Sequence, residues 1–269
     1  MDILETSKKC NKCHEKINFI YFGLNEQEEL IVKNNKNLIE SVVETNSQWT
    51  NVYRKIDMPY PSEYVIRIFK GTYPRLNLRG GGYSGKSILD VSCGVGRNFP
   101  LFSQLGFEKM AGTEINEDLV EMIRKNCKSL GIQADIKIGD NISLNFESEA
   151  FDYLLAWNVC YYMSNNQKNF DKHIKEYARV LKPGGYLIFS IPCQDAFIYD
   201  SAEKWDDGYL KIKKDWFGIR NDTIHRYFKS EKEIEDTFSP FFKDFVLGSI
   251  NDDCFGLAYK WHIGCCIRR

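Results

Sequence analysis

The sequence predicts an α/β fold: a doubly wound, mostly parallel sheet that finishes in an antiparallel hairpin. Three observations carry this. From Lys86 onward, short apolar runs alternate with amphipathic helical stretches. Such alternation implies right-handed crossovers and a parallel sheet covered on both faces. The first apolar run ends in a glycine-rich turn, Cys93-Gly94-Val95-Gly96. Two long strand-like runs, FKDFVLGSI and CFGLAYKWHIGCCIR, close the chain around Asn251-Asp252-Asp253, and so short a connection forces antiparallel pairing.

The elements follow in order. KSILDV is a strand leading into the glycine turn, and NFPLFSQL a helix stopped by Gly106. EKMAGTE is the next strand. Asn116 caps a helix over NEDLVEMIRKNCKSL, with acids in its first turn, bases in its last and an apolar stripe of Leu119, Met122, Ile123 and Cys127. ADIKIGD and FDYLLAWNV are the third and fourth strands. A helix over 168–181 buries Phe170, Ile174, Tyr177 and Leu181 until Pro183-Gly184-Gly185 stops it, and YLIFSI is the fifth strand. Ser230 and Glu233 fit a capping box that opens a helix to Phe238. These spacings divide the chain into an N-terminal helical cap, 1–85, with helices near 37–45 and 62–70, and a Rossmann-like domain, 86–269. Within that domain, 192–229 is a long polar and aromatic connection of the kind that forms a lid.

Bulk properties exclude several classes. The 269 residues carry a net charge of -1, with no basic surplus for nucleic acid. No apolar run approaches the roughly 18 residues of a membrane span. The nine cysteines are scattered, and the first ten residues lack a signal-peptide core, so the expectation is a cytoplasmic protein with reduced thiols. Expected partners are a small-molecule substrate, no nucleic acid and no membrane, in a monomer or homodimer. Cys10-Asn11-Lys12-Cys13-His14 has the spacing of half a zinc module. A structural zinc site wants four ligands and no second pair lies within the following 75 residues, so no metal is expected.

The glycine turn lies at the carboxyl edge of the sheet, where open α/β folds bind ligands. A dinucleotide loop wants a third glycine where this chain has Phe99, and no Lys-Ser or Lys-Thr follows as in a triphosphate loop. Glu114, 24 positions after Asp90, ends the next strand where a carboxylate can accept from ribose hydroxyls, and Asp140-Asn141 closes the third strand, where it could read an adenine edge.

These stations resemble the class I S-adenosylmethionine-dependent methyltransferases. ILDVSCGVGRN is similar to their first motif, with Ser92 in place of its first glycine; AGTEIN, GDNISLNF, FDYLLAWNVCYYM and RVLKPGGYLIFSIP resemble the motifs that follow. The resemblance covers about Lys86 to Pro192. It implies S-adenosyl-L-methionine as cofactor, with Glu114 on the ribose, Ile115 against adenine and Asp140 and Asn141 at its edge. Asp90, Ser92, Gly94 and Gly96 then line the methionyl end, and Trp157 borders the site. Arg97 either faces the methionyl carboxylate or is a solvated helix-start arginine.

The fourth motif lacks the prolines common where amino groups of bases or glutamine are methylated. The expected reaction is transfer to an oxygen of a small, polar metabolite such as an activated sugar. N-methylation of a small amine or a protein side chain, and non-catalytic, regulatory binding of the cofactor, are the alternatives. Asn158, Tyr161 and His225 are the candidate catalytic residues, His225 as a base near neutral pH or simply a surface histidine. Tyr53, Tyr60, Tyr162, Arg226 and Tyr227 are the candidate substrate contacts, although the aromatic residues of the cap equally suit packing. The stretch from Trp49 to Phe69 resembles methyltransferases found with bacterial surface-polysaccharide enzymes. His173, on a lysine-rich helix, is expected in solvent, and His262 is expected to be structural.

Overall fold

The computed structural model describes the backbone at 6–9 and 16–19 and whole residues at 60–163 and 168–269. The chain divides into two compact units, Met1–Glu44 and Thr45–Arg269. In the first, β1 (Thr6–Lys9) and β2 (Lys16–Phe19) pair antiparallel. Cys10, Cys13, His14, the helix expected near 37–45, Trp49 and Tyr53 lie outside the described residues.

The second unit is built on a seven-stranded sheet. Its strands are β3 (Ser87–Asp90), β4 (Lys109–Glu114), β5 (Asp135–Ile138), β6 (Phe151–Ala156), β7 (Leu181–Pro192), β11 (Phe242–Cys254) and β12 (Leu257–Arg268), in the order β11-β12-β7-β6-β3-β4-β5. Pairing is parallel from β7 to β5 and antiparallel at β12 and β11, as the sequence predicts. From β3 the chain winds outward through β4 and β5, then returns to lay β6 on the other side of β3. That reversal makes a switch point between β3 and β6, where such sheets open a crevice. Both strands are nearly all buried, as a sheet covered on both faces requires.

The crossovers are α2 (Phe99–Leu105), α3 (Glu117–Ser129) and α4 (Phe170–Val180). Asn116 caps α3, its side chain accepting from the Asp118 N–H. Before the sheet, α1 (Glu63–Lys70) ends at Gly71 and buries Val65, Ile68 and Phe69. Phe69 joins an aromatic cluster with Tyr83, Phe102, Phe107 and Tyr153, and the Tyr83 hydroxyl donates to the Phe69 carbonyl at 2.6 Å.

Two local expectations are corrected. The helix α4 ends at Val180, and Pro183-Gly184-Gly185 lies within β7, whose register against β6 shifts between Phe151 and Tyr153. The terminal hairpin turns at Phe255-Gly256, not at Asn251-Asp252-Asp253, which belong to β11. A two-residue hairpin turn needs left-handed backbone at both positions, and Phe255 and Gly256 have φ of 55° and 91°. The segment 192–229 is largely ordered as an antiparallel meander of β8 (Ala202–Asp206), β9 (Tyr209–Ile212) and β10 (Ile224–Arg226). It leads to α5 (Glu231–Phe238), whose cap Ser230 accepts from the Glu233 N–H.

Candidate cofactor and acceptor site

The glycine turn is held from below by its own helix and from the side by β4. Gly96 is left-handed (φ 76°), and a Cβ there would meet Ile123 at 2.8 Å and the Phe99 ring at 3.1 Å. A Cβ on Gly112 would also strike that ring, at 2.9 Å. Phe99 therefore fills the space that a third loop glycine leaves open, and Gly112 makes room for it. Ser92 adopts φ 49°, so the residue that replaces the usual first glycine sits in the backbone region glycine favours.

Two buried acids face this turn. Each oxygen of the Glu114 carboxylate accepts a backbone N–H, Oε1 from Gly94 at 3.0 Å and Oε2 from Ile115 at 2.9 Å. Asp90 accepts from the Asn98 amide at 3.0 Å. Burial lifts Glu114 to about 7 against the pull of those two amides. It lifts Asp90 to about 7 as well, with Asn98 and Arg97 opposing and Glu114 adding to the rise. A phosphate cradle presents unengaged N–H donors and positive charge. Here the Gly94 N–H is engaged by a carboxylate and the groups facing the turn are acidic, which suits a cationic ligand rich in hydroxyls. Beyond the turn, Ile115 is 40% exposed, enough for its side chain to pack on a ligand ring. At the end of β6, the Trp157 indole N–H is buried with no hydrogen-bond partner.

Residues 89–189 match the family described as "Methyltransferase domain". This stretch is a class I S-adenosylmethionine-dependent methyltransferase domain. S-adenosyl-L-methionine is its cofactor, and the turn fits it: two buried carboxylates, no phosphate cradle and an unpartnered buried donor. The chain is 32% identical over 108 residues to the probable tRNA methyltransferase 9B of Homo sapiens, covering 40% of this chain and 21% of that protein. Identity is also 32% over 108 residues to the phthiotriol/phenolphthiotriol dimycocerosates methyltransferase 1 of Mycobacterium ulcerans, covering 40% of this chain and 38% of that one. The matched region thus spans well under half the length of these curated relatives. Among solved structures, the PH0226 protein of Pyrococcus horikoshii OT3 has a TM-score of 0.59 at 18% identity, over 81% of this chain and 99% of its own. A possible histamine N-methyltransferase of Thermotoga maritima has 0.51 at 19%, over 87% and 99%. At these identities the likeness is one of fold.

The other expected site residues divide. Asp140 ends the β5 loop, its carboxylate accepting from the Ile142 N–H at 3.0 Å. The Asn141 side chain is engaged within the protein: its amide donates to the Val159 carbonyl at 3.2 Å and its oxygen accepts from the Tyr177 hydroxyl at 2.6 Å, which ties the β5 loop to the β6 loop. Tyr161 is a core residue, 2% exposed, and burial pushes its hydroxyl well above the usual range. Arg226 is corrected from substrate contact to structural cation. Its guanidinium pairs with Glu233 at 2.7 Å, donates to the Gly208 carbonyl and covers the Phe228 ring. Tyr227 is buried behind it, and Tyr60 is 74% exposed. His173, expected in solvent, is fully buried with its Nδ1 at 2.9 Å from the Cys160 carbonyl; burial lowers it to about 4. The lysines around it occupy the opposite, solvated face of α4.

On the acceptor side, Asn158 is left-handed (φ 58°), and its N–H and Oδ1 both engage the Ser190 hydroxyl at the end of β7, at 2.8 and 2.9 Å. The Tyr162 hydroxyl accepts from Arg220 Nε at 3.1 Å, and Arg220 pairs with the buried Asp215 at 2.8 Å. Tyr162 packs on His225 with ring centroids 4.3 Å apart, Tyr199 on His225 at 5.8 Å, and Tyr259 stacks on Trp261 at 3.9 Å. Ser190, Tyr199, Asp215, Arg220 and Tyr259 were not singled out by sequence reasoning. Apart from Asp215 and Arg220 they come from different stretches of chain, and no local pattern links them.

Proposed function

We propose that the chain transfers a methyl group from S-adenosyl-L-methionine to an oxygen of a small polar metabolite, such as an activated sugar or another phosphorylated compound. The observation that carries the cofactor half is Glu114: with one lone pair of each oxygen on a backbone N–H, the others remain to accept from two vicinal ribose hydroxyls. Ile115 packs on the adenine and Asp140 takes its edge. Asp90, Ser92, Gly94, Gly96 and Arg97 surround the methionyl end, with the Trp157 indole as a donor. When bound, the cofactor supplies an electrophilic methyl on a sulfonium. The protein's part is to align the acceptor, keep water out and remove a proton.

The acceptor half rests on Arg220. A guanidinium held beside Tyr162 repels a cationic amine and tolerates a neutral or anionic acceptor. Asn158 orients the acceptor from the end of β6, and His225 takes its proton. The test is transfer of labelled methyl to a panel of sugar nucleotides, phosphorylated metabolites, primary amines and transfer RNA. Label on oxygen of the first two groups is expected. Label on an amine or on RNA would overturn the acceptor assignment, and no label anywhere in a chain that binds the cofactor would favour a regulatory role.

A further inference from the structure

Three atoms decide where the proton of His225 sits. The Thr223 hydroxyl donates to the Arg220 carbonyl at 2.6 Å, and a hydroxyl has a single hydrogen to give. The same oxygen lies 3.0 Å from His225 Nε2. With its hydrogen committed, Thr223 can only accept there, so Nε2 carries the N–H. Nδ1 is then a bare lone pair, and it is buried without a hydrogen-bond partner among the described residues. An unmet buried acceptor costs about 1–3 kcal/mol.

A second unpartnered polar atom lies beside it. The Tyr199 hydroxyl is also buried with no partner, on a ring whose centroid is 5.8 Å from that of His225. One donor and one acceptor thus lie on adjacent rings, each without a hydrogen-bond partner among the described residues. The charged and titratable groups around the imidazole are few. Tyr161 and Tyr162 pack on it from the loop after β6, Tyr199 from the turn before β8, and Arg220 from the segment before β10. Burial raises all three phenols, so they stay neutral. Burial first, and then the Arg220 cation, hold His225 well below its ordinary range.

We propose that Thr223 is a positioning residue that locks His225 in the Nε2–H tautomer, so that Nδ1 receives the proton of the acceptor hydroxyl. The proposal rests on the transferase reading above. As the acceptor oxygen bonds to the methyl carbon, the carbon–sulfur bonding pair stays on sulfur and the hydroxyl proton passes to Nδ1. The imidazolium keeps its Nε2–H on Thr223, and the nearby Arg220 charge favours passing the added proton to water that enters as the product leaves, which resets the base.

The test is nitrogen-15 NMR of the full chain labelled at its four histidines, with S-adenosylhomocysteine present and His225 assigned through His225→Gln. The expected result is a protonated Nε2 and an unprotonated Nδ1 in the wild type and in Thr223→Ser, and a mixture of tautomers in Thr223→Val. With the acceptor that the labelled transfer returns, Thr223→Val should lose about tenfold or more in kcat at unchanged cofactor affinity, part of the roughly 10²–10⁴ that a general base contributes. Thr223→Ser should restore it, which separates loss of the hydrogen bond from loss of the fold. A proton on Nδ1 in the wild type overturns the tautomer assignment. The expected tautomer with full turnover in Thr223→Val overturns the positioning role and leaves the enclosure to a structural water. A chain that binds no S-adenosylhomocysteine refutes the transferase reading, while the tautomer result stands separately.

Discussion

The two sides of the switch point are built in different ways. On the β3–β4–β5 side, the proposed cofactor residues sit at strand ends or in the turn after β3, within about fifty consecutive positions, Asp90 to Asp140, and only Trp157, after β6, joins them from elsewhere. On the β6–β7–β12 side, the wall is assembled from Asn158 and Tyr162, Ser190, Tyr199, Arg220 with Thr223 and His225, and Tyr259, drawn from about a hundred positions. The first side holds a ligand common to a family with local geometry: a turn, a strand end and a carboxylate. The second is built by packing between segments distant in the chain. The first can be weakened one residue at a time, whereas the second depends on contacts between segments.

The largest effect expected on the cofactor side is from Glu114→Ala. Loss of charge-assisted hydrogen bonds of about 1–3 kcal/mol should weaken cofactor binding by about 5- to 150-fold in calorimetry, with little change in acceptor preference. Unchanged affinity would remove the ribose assignment. Gly96→Ala should follow, because its Cβ meets Ile123 at 2.8 Å in left-handed backbone. A loss of about 1–3 kcal/mol in denaturant melts is expected, and a neutral result would mean that the loop and α3 are not in contact.

The pH response comes next. Folded Asp90 and Glu114 titrate near 7, above their ordinary range. Their contribution to apo stability is therefore complete below the unfolded value of about 4 and is lost as pH rises through about 7. Cofactor binding runs the other way, since ribose hydroxyls donate to an ionised carboxylate. Affinity should rise up to about pH 7 and level off above it, by up to about tenfold per unit below the break. A flat affinity between pH 5.5 and 8.5 would contradict it. The smallest effect is from Ser92→Gly, which relieves left-handed backbone and should stabilise the protein by no more than about 1 kcal/mol at intact cofactor affinity. A clear loss of affinity would instead make the Ser92 side chain a ligand contact.

The same contrast explains what the sequence could disclose. Strand–turn–helix order, the Asn116 cap and the spacing from Asp90 to Glu114 are local, so periodicity and motif reading reach them. The hairpin turn was misplaced because Asn-Asp-Asp is the stronger composition signal, while Phe255-Gly256 is chosen by pairing with β12. Asn141 and Arg226 carry the right chemistry for ligand contacts, but Tyr177 and Glu233, distant in the chain, engage them first. His173 appeared solvated because the lysines on its helix occupy the face opposite its ring. Thr223 and Arg220 are chain neighbours of His225 but form no motif with it, so sequence reading passes over them.

The central claim is that the turn after β3 holds S-adenosyl-L-methionine and no phosphate-bearing dinucleotide. Calorimetry of the full chain with S-adenosyl-L-methionine, S-adenosylhomocysteine and NAD tests it most directly. Binding of the first two, lost together in Glu114→Ala, with no heat from NAD, is the predicted result. Binding of NAD in place of the other two would contradict it.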